Sequence, residues 1–370
     1  MANTTMVPSD TQPHQRETNN FSFKSPDSTS STKPKTSPGF QSVGLQAIND
    51  NYKLKGFNDS VINTMFNAKS VKTYQQYHTY LGCWEKFCAD HQINVFRPPI
   101  GPVLNFLQQC REDFNLGYSA VNTARSALAT IVSCEGAPLA DNSDLSTYMK
   151  GVKNESPHLP KYSAIWDADL LLDYLNAQGL PSSLDLKQLT LKLAALLLVS
   201  SGQRVQSLER LSLDNLLFGP DLAQFTILSK LKQTMDKATE ICFKSFPENQ
   251  NLCPVAHLSH YIEITQPLCS SPNLFISFQK PRKAVGSQTI SRWVRNVLAS
   301  AGIDLTRFGA HSVRASSSAA AKRGGVTLDT ILNAGSWSRA GTFQTWYDKP
   351  ILQNTPSFQD ALMSKHKDSA

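Results

Sequence analysis

The sequence predicts a mostly α-helical fold in two domains, the second of which also contains a small β-hairpin. In the first domain, apolar residues recur every three or four positions from Tyr74 to Phe87, which is the period of an amphipathic helix. In the second, residues 186–199 are almost entirely apolar, as in a helix buried on all sides. Two short runs rich in β-forming residues, 225–231 and 239–245, flank a polar turn and predict the hairpin.

The N-terminal part divides into a tail and a small helical domain. Residues 1–52 are rich in Ser, Thr, Pro, Asn and Gln and contain few large apolar side chains. Such a segment buries too little surface to offset the entropy cost of ordering, so we predict a disordered tail. The helical domain is expected to cover residues 57–155. Its three helices are expected to begin at the N-cap Ser70, after Pro98 and Pro99, and at Tyr118, the last reaching Val132.

A linker separates this domain from the larger one. Pro157 and Pro160 stand among polar residues, which predicts a boundary near residue 158 and a second domain over residues 156–352. Residues 353–370 are interpreted as a C-terminal tail. The helices expected in the second domain cover about residues 167–177, 186–199, 253–265, 287–301 and 327–333.

The charge and the cysteines indicate the kind of partner and compartment. The net charge is +7, and residues 280–350 hold eleven Lys or Arg against three acids, so this part predicts a positive surface suited to nucleic acid. The seven cysteines are odd in number and lack zinc-site pairing, which predicts a reducing compartment and no metal. No segment resembles a signal peptide or a membrane span. We therefore expect a soluble intracellular protein with no membrane partner.

Six polar or aromatic residues of the second domain suggest chemistry on a phosphodiester. Arginine forks hold phosphate oxygens, imidazole accepts a proton near neutral pH, and a phenol is a nucleophile when its charged form is stabilised. Each residue alone also has a structural explanation, as a salt-bridge, core or turn residue. Their common order along the chain is what makes coincidence improbable. The six residues are Arg204, Lys232, His311, Arg314, Trp337 and Tyr347.

This order resembles the tyrosine recombinase (phage integrase) family, in which a SAM-like core-binding domain precedes the catalytic domain. The likeness covers about residues 57–352. The local sequence motifs are most similar to those of recombinases of DIRS-type retrotransposons and related animal elements. The motifs that carry this narrower resemblance are Lys-Gln-Thr after the strand, Leu274-Phe275-Ile276-Ser277, Thr289-Ile290-Ser291-Arg292-Trp293 and Ala334-Gly335-Ser336-Trp337-Ser338.

The resemblance implies a role for each residue. Tyr347 would form the 3′-phosphotyrosyl bond, and Arg204 and Arg314 would clamp the nonbridging oxygens, where charge develops in the transition state. His311 would take the phenolic proton or hold the phosphate. Lys232, or Lys230 two residues before it, would protonate the leaving 5′-oxygen. Trp337 would donate its indole N–H to the phosphate while its ring packs beneath the helix of the nucleophile. No cofactor or metal is implied.

Two positions depart from the family's pattern. Many members carry Glu three residues after the first arginine, where this chain has Ser207. Tyr347 follows Trp337 by ten residues, as in the transposon branch, whereas nine is common among bacterial and phage members. Trp346 stands at the nine-residue position and cannot act as a nucleophile. Neither departure removes a catalytic group.

The implied partner is double-stranded DNA, bound by a homo-tetramer on paired sites that is a monomer or dimer when free. The location would be nuclear, and the C-terminal tail would either dock on a neighbouring protomer or cap the core of its own protomer. Two alternatives remain open, namely DNA relaxation of the type IB topoisomerase kind and a host-adopted DNA-binding protein without catalysis. Candidate DNA contacts are Lys69, Lys72, Arg125, Lys230, Arg282, Arg292, Arg295 and Arg307.

Overall fold

The computed structural model describes residues 43–156, 162–228 and 239–351. The chain divides into two compact units, with the division between His158 and Leu159. Lys230 and Lys232 lie outside the described residues, as does the C-terminal tail. Within the described ranges, every helix falls short of the length or the hydropathy that a bilayer crossing requires.

The first unit is a bundle of helices with one short β-ribbon. Its core surrounds Leu81 and Trp84, both fully buried on the longest helix of the unit. Ser70 caps that helix by accepting a hydrogen bond from the Thr73 N–H. The elements are α1 (Val43–Leu54), α2 (Asp59–Phe66), α3 (Val71–His91), α4 (Ile100–Asp113), α5 (Tyr118–Leu128), β1 (Ser133–Cys134), β2 (Ala137–Pro138) and α6 (Ser143–Glu155).

The structure corrects the sequence prediction at the ends of this unit. Residues 43–52 belong to α1 and not to a tail, because Ala47 and Ile48 are buried in the core and the Asn51 side-chain amide donates to the Thr130 carbonyl, 3.1 Å away. The third predicted helix ends at Leu128, short of Val132. Helix α6 was not predicted from the sequence. Tertiary burial rather than local composition decides these segments.

The second unit is built around α8, a helix in which most side chains are buried. Its core residues extend over the neighbouring helices and a sheet. The elements are α7 (Ala168–Ala177), α8 (Leu186–Ser201), α9 (Val205–Glu209), β3 (Leu216–Phe218), β4 (Leu222–Ile227), β5 (Thr239–Lys244), α10 (Pro254–Thr265), α11 (Ser287–Ser300), α12 (Ser312–Arg323), α13 (Leu328–Ala334) and α14 (Ala340–Trp346).

The predicted hairpin is part of a three-stranded antiparallel sheet in the order β3-β4-β5. Strands β4 and β5 pair with Phe225 opposite Ile241, both buried. Strand β4 begins at Leu222, earlier than predicted, and it also pairs with β3. The sequence did not reveal β3 because it has only three residues and two of its side chains are exposed.

The core of the second unit contains a buried histidine, His257, which should make the folded protein less stable at acid pH. His257 is fully buried, its Nδ1 is 2.9 Å from the Cys253 carbonyl, and its Nε2 has no hydrogen-bond partner. Burial lowers the pKa of His257 from 6.5 to about 4, and the Cys253 carbonyl opposes this shift. Since the unfolded chain binds the proton first, this residue removes stability as the pH falls from 6.5 towards 4. A lowering of the pKa by this much corresponds to roughly 3 kcal/mol of folding free energy.

We expect His257→Gln to flatten this dependence while keeping a donor for the Cys253 carbonyl. The measurement is the midpoint of thermal unfolding at pH 7 and pH 4.5, and the difference between the two should be smaller than in the wild type. His260→Gln, on the same helix but half-exposed, is the matched control and should behave like the wild type. Equal differences for all three proteins would show that His257 does not titrate as expected.

Candidate active site

Arg204 is positioned by the end of the central helix. Helix α8 begins with a capping box between Asp185 and Gln188 and ends at Gly202, whose φ is +60°. Glycine adopts this left-handed conformation without the steric cost of a Cβ. The chain turns there and Arg204 becomes the N-cap residue of α9. A helix buried along most of its length thus holds the turn that carries Arg204.

Arg314 lies in the first turn of α12 and joins two loops. Its side chain is only 1 % exposed. The Nη1 group donates to the Gly202 carbonyl at 2.7 Å, and the Nη2 group donates to the Gly335 carbonyl at 2.6 Å. The Nε atom is buried and has no partner. Arg314 therefore ties the end of α8 to the loop after α13.

The charges around Arg314 favour an anion. The pKa of Arg314 is lowered to about 9, mainly by burial and also by the nearby charge of Arg204, while Tyr347 opposes the shift through its charge and a hydrogen bond. Two guanidinium groups close enough to disfavour each other's charge gain stability when a negative group lies between them. A phosphate fulfils that requirement.

Trp337 covers the guanidinium of Arg314. The Arg314 Cζ lies 3.6 Å from the centre of the indole ring, which is a close cation–π contact. Trp337 also packs edge-on against Phe343 and Tyr347, with ring centres 5.2 and 5.0 Å apart. It is 7 % exposed, and its Nε1 is buried without a hydrogen-bond partner. The residue preceding it, Ser336, has a φ of +56°.

Tyr347 follows α14 and lies next to His311. The Tyr347 N–H donates to the Phe343 carbonyl at 2.8 Å, which continues the last turn of the helix. Its hydroxyl is 3.3 Å from Nε2 of His311, the residue before α12, and the donor depends on the histidine tautomer. The segment after Tyr347 is held by an ion pair of 2.5 Å between Lys322 and Asp348.

Five of the six predicted site residues converge. Arg204, His311, Arg314, Trp337 and Tyr347 come from the end of α8, the start of α12 and the loops around α13 and α14. The sixth, Lys232, lies outside the described residues together with its alternative Lys230. The geometry differs from the implied roles in one respect. Both Nη groups of Arg314 donate to carbonyls, and the indole N–H of Trp337 is buried, so neither donor is presented to solvent.

The structure describes seven of the eight predicted DNA contacts, all except Lys230. Arg292 and Arg295 are exposed on α11, and Arg307 is exposed on the loop before α12. Arg282 is half-buried, and its Nε is buried without a partner. In the first unit, Lys69 and Lys72 are exposed at the start of α3, whereas Arg125 on α5 is half-buried.

Three further residues shape the site; Gly335 and Gln203 were not identified as site residues from the sequence, and Ser207 was noted there only as a departure from the family's pattern. Gly335 approaches Trp337 so closely that a Cβ on it would lie 1.9 Å from the indole ring. Gln203 and Ser207 make buried hydrogen bonds beside Arg204. The buried polar pair at 203 and 207 is four residues apart, a helical spacing, but the sequence alone does not show where such side chains point. Across the described ranges, no group of three or more His, Cys, Asp or Glu is placed to hold a metal ion.

Solved structures share this fold at low sequence identity. The Tn1549 transposon integrase in complex with transposon right end DNA is 12 % identical, with a TM-score of 0.53, and the match covers 88 % of this chain and 99 % of that one. The XerH site-specific recombinase in a post-cleavage complex with a palindromic difH substrate is 17 % identical, with a TM-score of 0.51, covering 82 % and 83 %. No family model and no curated protein matches the sequence. The mostly helical chain with small sheets has the tyrosine recombinase catalytic fold.

Proposed function

We propose that this chain is a tyrosine recombinase that cuts and rejoins DNA through a 3′-phosphotyrosyl intermediate. The observation that carries the proposal is the distance of 3.3 Å between the Tyr347 hydroxyl and His311 Nε2, beside the buried cation of Arg314. A phenol needs both a base within hydrogen-bond reach and a nearby positive charge to act as a nucleophile. The shared fold supports the proposal, since the similar proteins are a transposon integrase and a site-specific recombinase.

The proposed reaction is a transesterification at phosphorus. The Tyr347 oxygen attacks the phosphate and gives its proton to His311, while the bond between phosphorus and the 5′-oxygen breaks. Lys232, or Lys230 in its place, gives a proton to the departing 5′-oxygen. Arg204 and Arg314 stabilise the negative charge on the nonbridging oxygens. Reversal with a 5′-hydroxyl from another strand rejoins the DNA, so the energy of the phosphodiester is kept in the phosphotyrosyl bond.

Binding of a phosphate does not require Arg314 to give up its contacts. The carbonyls of Gly202 and Gly335 each take one N–H of an Nη group, and a guanidinium has five N–H donors, so neither of these hydrogen bonds has to be broken. The unpartnered Nε of Arg314 and Nε1 of Trp337 provide two further donors close to the same place. Unsatisfied buried donors cost stability, and an incoming acceptor removes that cost.

The proposal also covers the substrate, the assembly and the cellular location of the protein. The substrate is double-stranded DNA, with the N-terminal unit as a core-binding domain and a homo-tetramer assembled on paired sites. A mobile element of the DIRS kind would encode the protein, which would act in the nucleus and use its C-terminal tail to dock on a neighbouring protomer. The proposed phosphate contacts outside the catalytic cluster are Lys69, Lys72, Arg125, Lys230, Arg282, Arg292, Arg295 and Arg307.

The test is whether wild-type protein becomes covalently attached to DNA without metal. A library of nicked duplexes with a randomised centre is incubated with the protein in EDTA, and the mixture is denatured. DNA that remains attached is released by proteolysis and sequenced. We expect attachment through the 3′ end of the upstream strand, leaving a free 5′-hydroxyl downstream. No attachment to any member of the library would contradict the proposal and favour a binding protein.

A second step separates recombination from relaxation. The captured sequence is placed in two different duplexes, one of which carries a label. A recombinase should join the labelled strand to the 5′-hydroxyl of the other duplex, and it should form a complex containing two DNA sites. Relaxation of a supercoiled plasmid with no exchange between duplexes would instead indicate a type IB topoisomerase activity.

A further inference from the structure

The turn that carries Arg204 and the loop that carries Trp337 are joined by two side chains. One is Arg314, through the carbonyls of Gly202 and Gly335. The other is Gln203, whose Nε2 donates to the Ala334 carbonyl at 2.6 Å. Gln203 is 3 % exposed, so the donor of this hydrogen bond is buried, whereas Ala334 is exposed. The two bonds end on consecutive carbonyls of the same loop.

A serine braces the Gln203 amide on its other side. The Ser207 hydroxyl donates to Gln203 Oε1 at 2.9 Å, and Ser207 is itself 2 % exposed. The Gln203 backbone N–H lies 3.3 Å from the Ser201 hydroxyl, which accepts its hydrogen bond. An amide turned the other way would place its oxygen against the Ala334 carbonyl, which only accepts, whereas the Ser207 hydroxyl can donate or accept. The Ala334 carbonyl therefore sets the orientation of the amide, and Ser207 holds the amide in it.

We propose that Gln203 is a positioning residue that holds Arg204 in register with Trp337, and that Ser207 acts through Gln203 to keep it there. The inference rests on the proposed function, because it matters only if Arg204 and Trp337 serve one phosphate. Arg204 follows Gln203 directly, and Trp337 is three residues after Ala334. The hydrogen bond from Gln203 to Ala334 therefore links the residue next to Arg204 with the loop that carries Trp337. The two residues are 131 positions apart in sequence.

The proposed role also explains how the chain can carry serine rather than glutamate at position 207. A glutamate there, as the resemblance leads one to expect, would bring a negative charge into a buried turn next to two arginines. Ser207 brings none, and its hydroxyl is bonded to a neutral amide instead. The turn is thus braced by hydrogen bonds between neutral groups, and position 207 adds no negative charge beside Arg204.

The experiment compares Gln203→Met with Gln206→Met in single-turnover cleavage of the captured nicked duplex. Methionine matches the volume of glutamine and has no amide, and Gln206 is the exposed glutamine on α9. Loss of a buried hydrogen bond that orients a catalytic group predicts a cleavage rate about tenfold lower for Gln203→Met. The Kd for the duplex should stay close to that of Gln206→Met, and the rates are measured well below the unfolding midpoint, which the loss of two hydrogen bonds is expected to lower. Ser207→Ala should also lower the cleavage rate, by a smaller factor than Gln203→Met.

A double-mutant cycle separates positioning from general destabilisation. In an Arg204→Lys background, which lacks the fork that Gln203 would position, Gln203→Met should lower the rate by less than twofold. The positioning role is wrong if Gln203→Met lowers the cleavage rate tenfold in the Arg204→Lys background as well. It is also wrong if Gln203→Met alone cleaves at the wild-type rate. Wild-type protein that forms no adduct at all would instead overturn the proposed function, and the positioning role with it.

Discussion

Replacement of Tyr347 by phenylalanine is expected to abolish the covalent adduct with the nicked duplex. The substitution removes one oxygen, which lies 3.3 Å from His311 Nε2 at the edge of the site. The ring remains free to pack edge-on against Trp337, 5.0 Å away between centres. We therefore expect DNA affinity and the unfolding midpoint to remain near the wild-type values. The measurement is adduct yield after denaturation, which should fall below detection.

The control for this substitution is the neighbouring aromatic residue. Trp346→Phe changes the position nine residues after Trp337 but leaves the phenol in place, so its adduct yield should resemble that of the wild type. Equal yields from wild type and Tyr347→Phe would show that Tyr347 is not the nucleophile. Loss of the adduct in Trp346→Phe alone would indicate that this stretch positions the chemistry differently from our proposal.

The substitution Gly335→Ala is expected to lower the cleavage rate by about a hundredfold, since even a displacement on the order of 1 Å can cost that much. An alanine Cβ would lie 1.9, 2.3 and 2.6 Å from three atoms of the Trp337 ring. The ring is packed against Arg314, Phe343 and Tyr347 and cannot yield without moving them. The Gly335 carbonyl, which accepts from Arg314, would shift as well. In Gly335→Ala, the cleavage rate should fall and the near-ultraviolet circular dichroism spectrum, which reports aromatic packing, should differ from that of the wild type.

Two variants test whether the clash is the cause. Gly341→Ala on α14 adds the same methyl group where no atom lies within 4 Å, so its cleavage rate should equal that of the wild type. Trp337→His lacks the six-membered ring that an alanine at 335 would meet. In the double variant, Gly335→Ala should therefore cost less than it does beside tryptophan. A Gly335→Ala protein with wild-type cleavage and circular dichroism would contradict the packing argument.

Five helices of the second unit could be predicted closely because local sequence signals mark their ends. Helix α8 has its capping residues and its terminal glycine in the sequence, and the bounds of α10 and α11 are within a residue or two of those predicted. Helices α1, α9, α12 and α14 and strand β3 were not predicted. Helix α1 follows a segment rich in Ser, Thr and Pro, and β3 is three residues long, so each depends on contacts made by distant parts of the chain.

The order of Arg204, His311, Arg314, Trp337 and Tyr347, and the types of chemistry they offer, can be read from the amino acids, because side-chain chemistry does not depend on the fold. Which carbonyls hold Arg314, how Trp337 covers it, and why position 335 must be glycine could not be read in that way. These facts depend on contacts between separate segments of the chain, such as the hydrogen bonds of Arg314 to Gly202, 112 residues away in sequence, and to Gly335, 21 residues away. Distances of this kind arise only when the loops are brought together by the packing of α8 and α12.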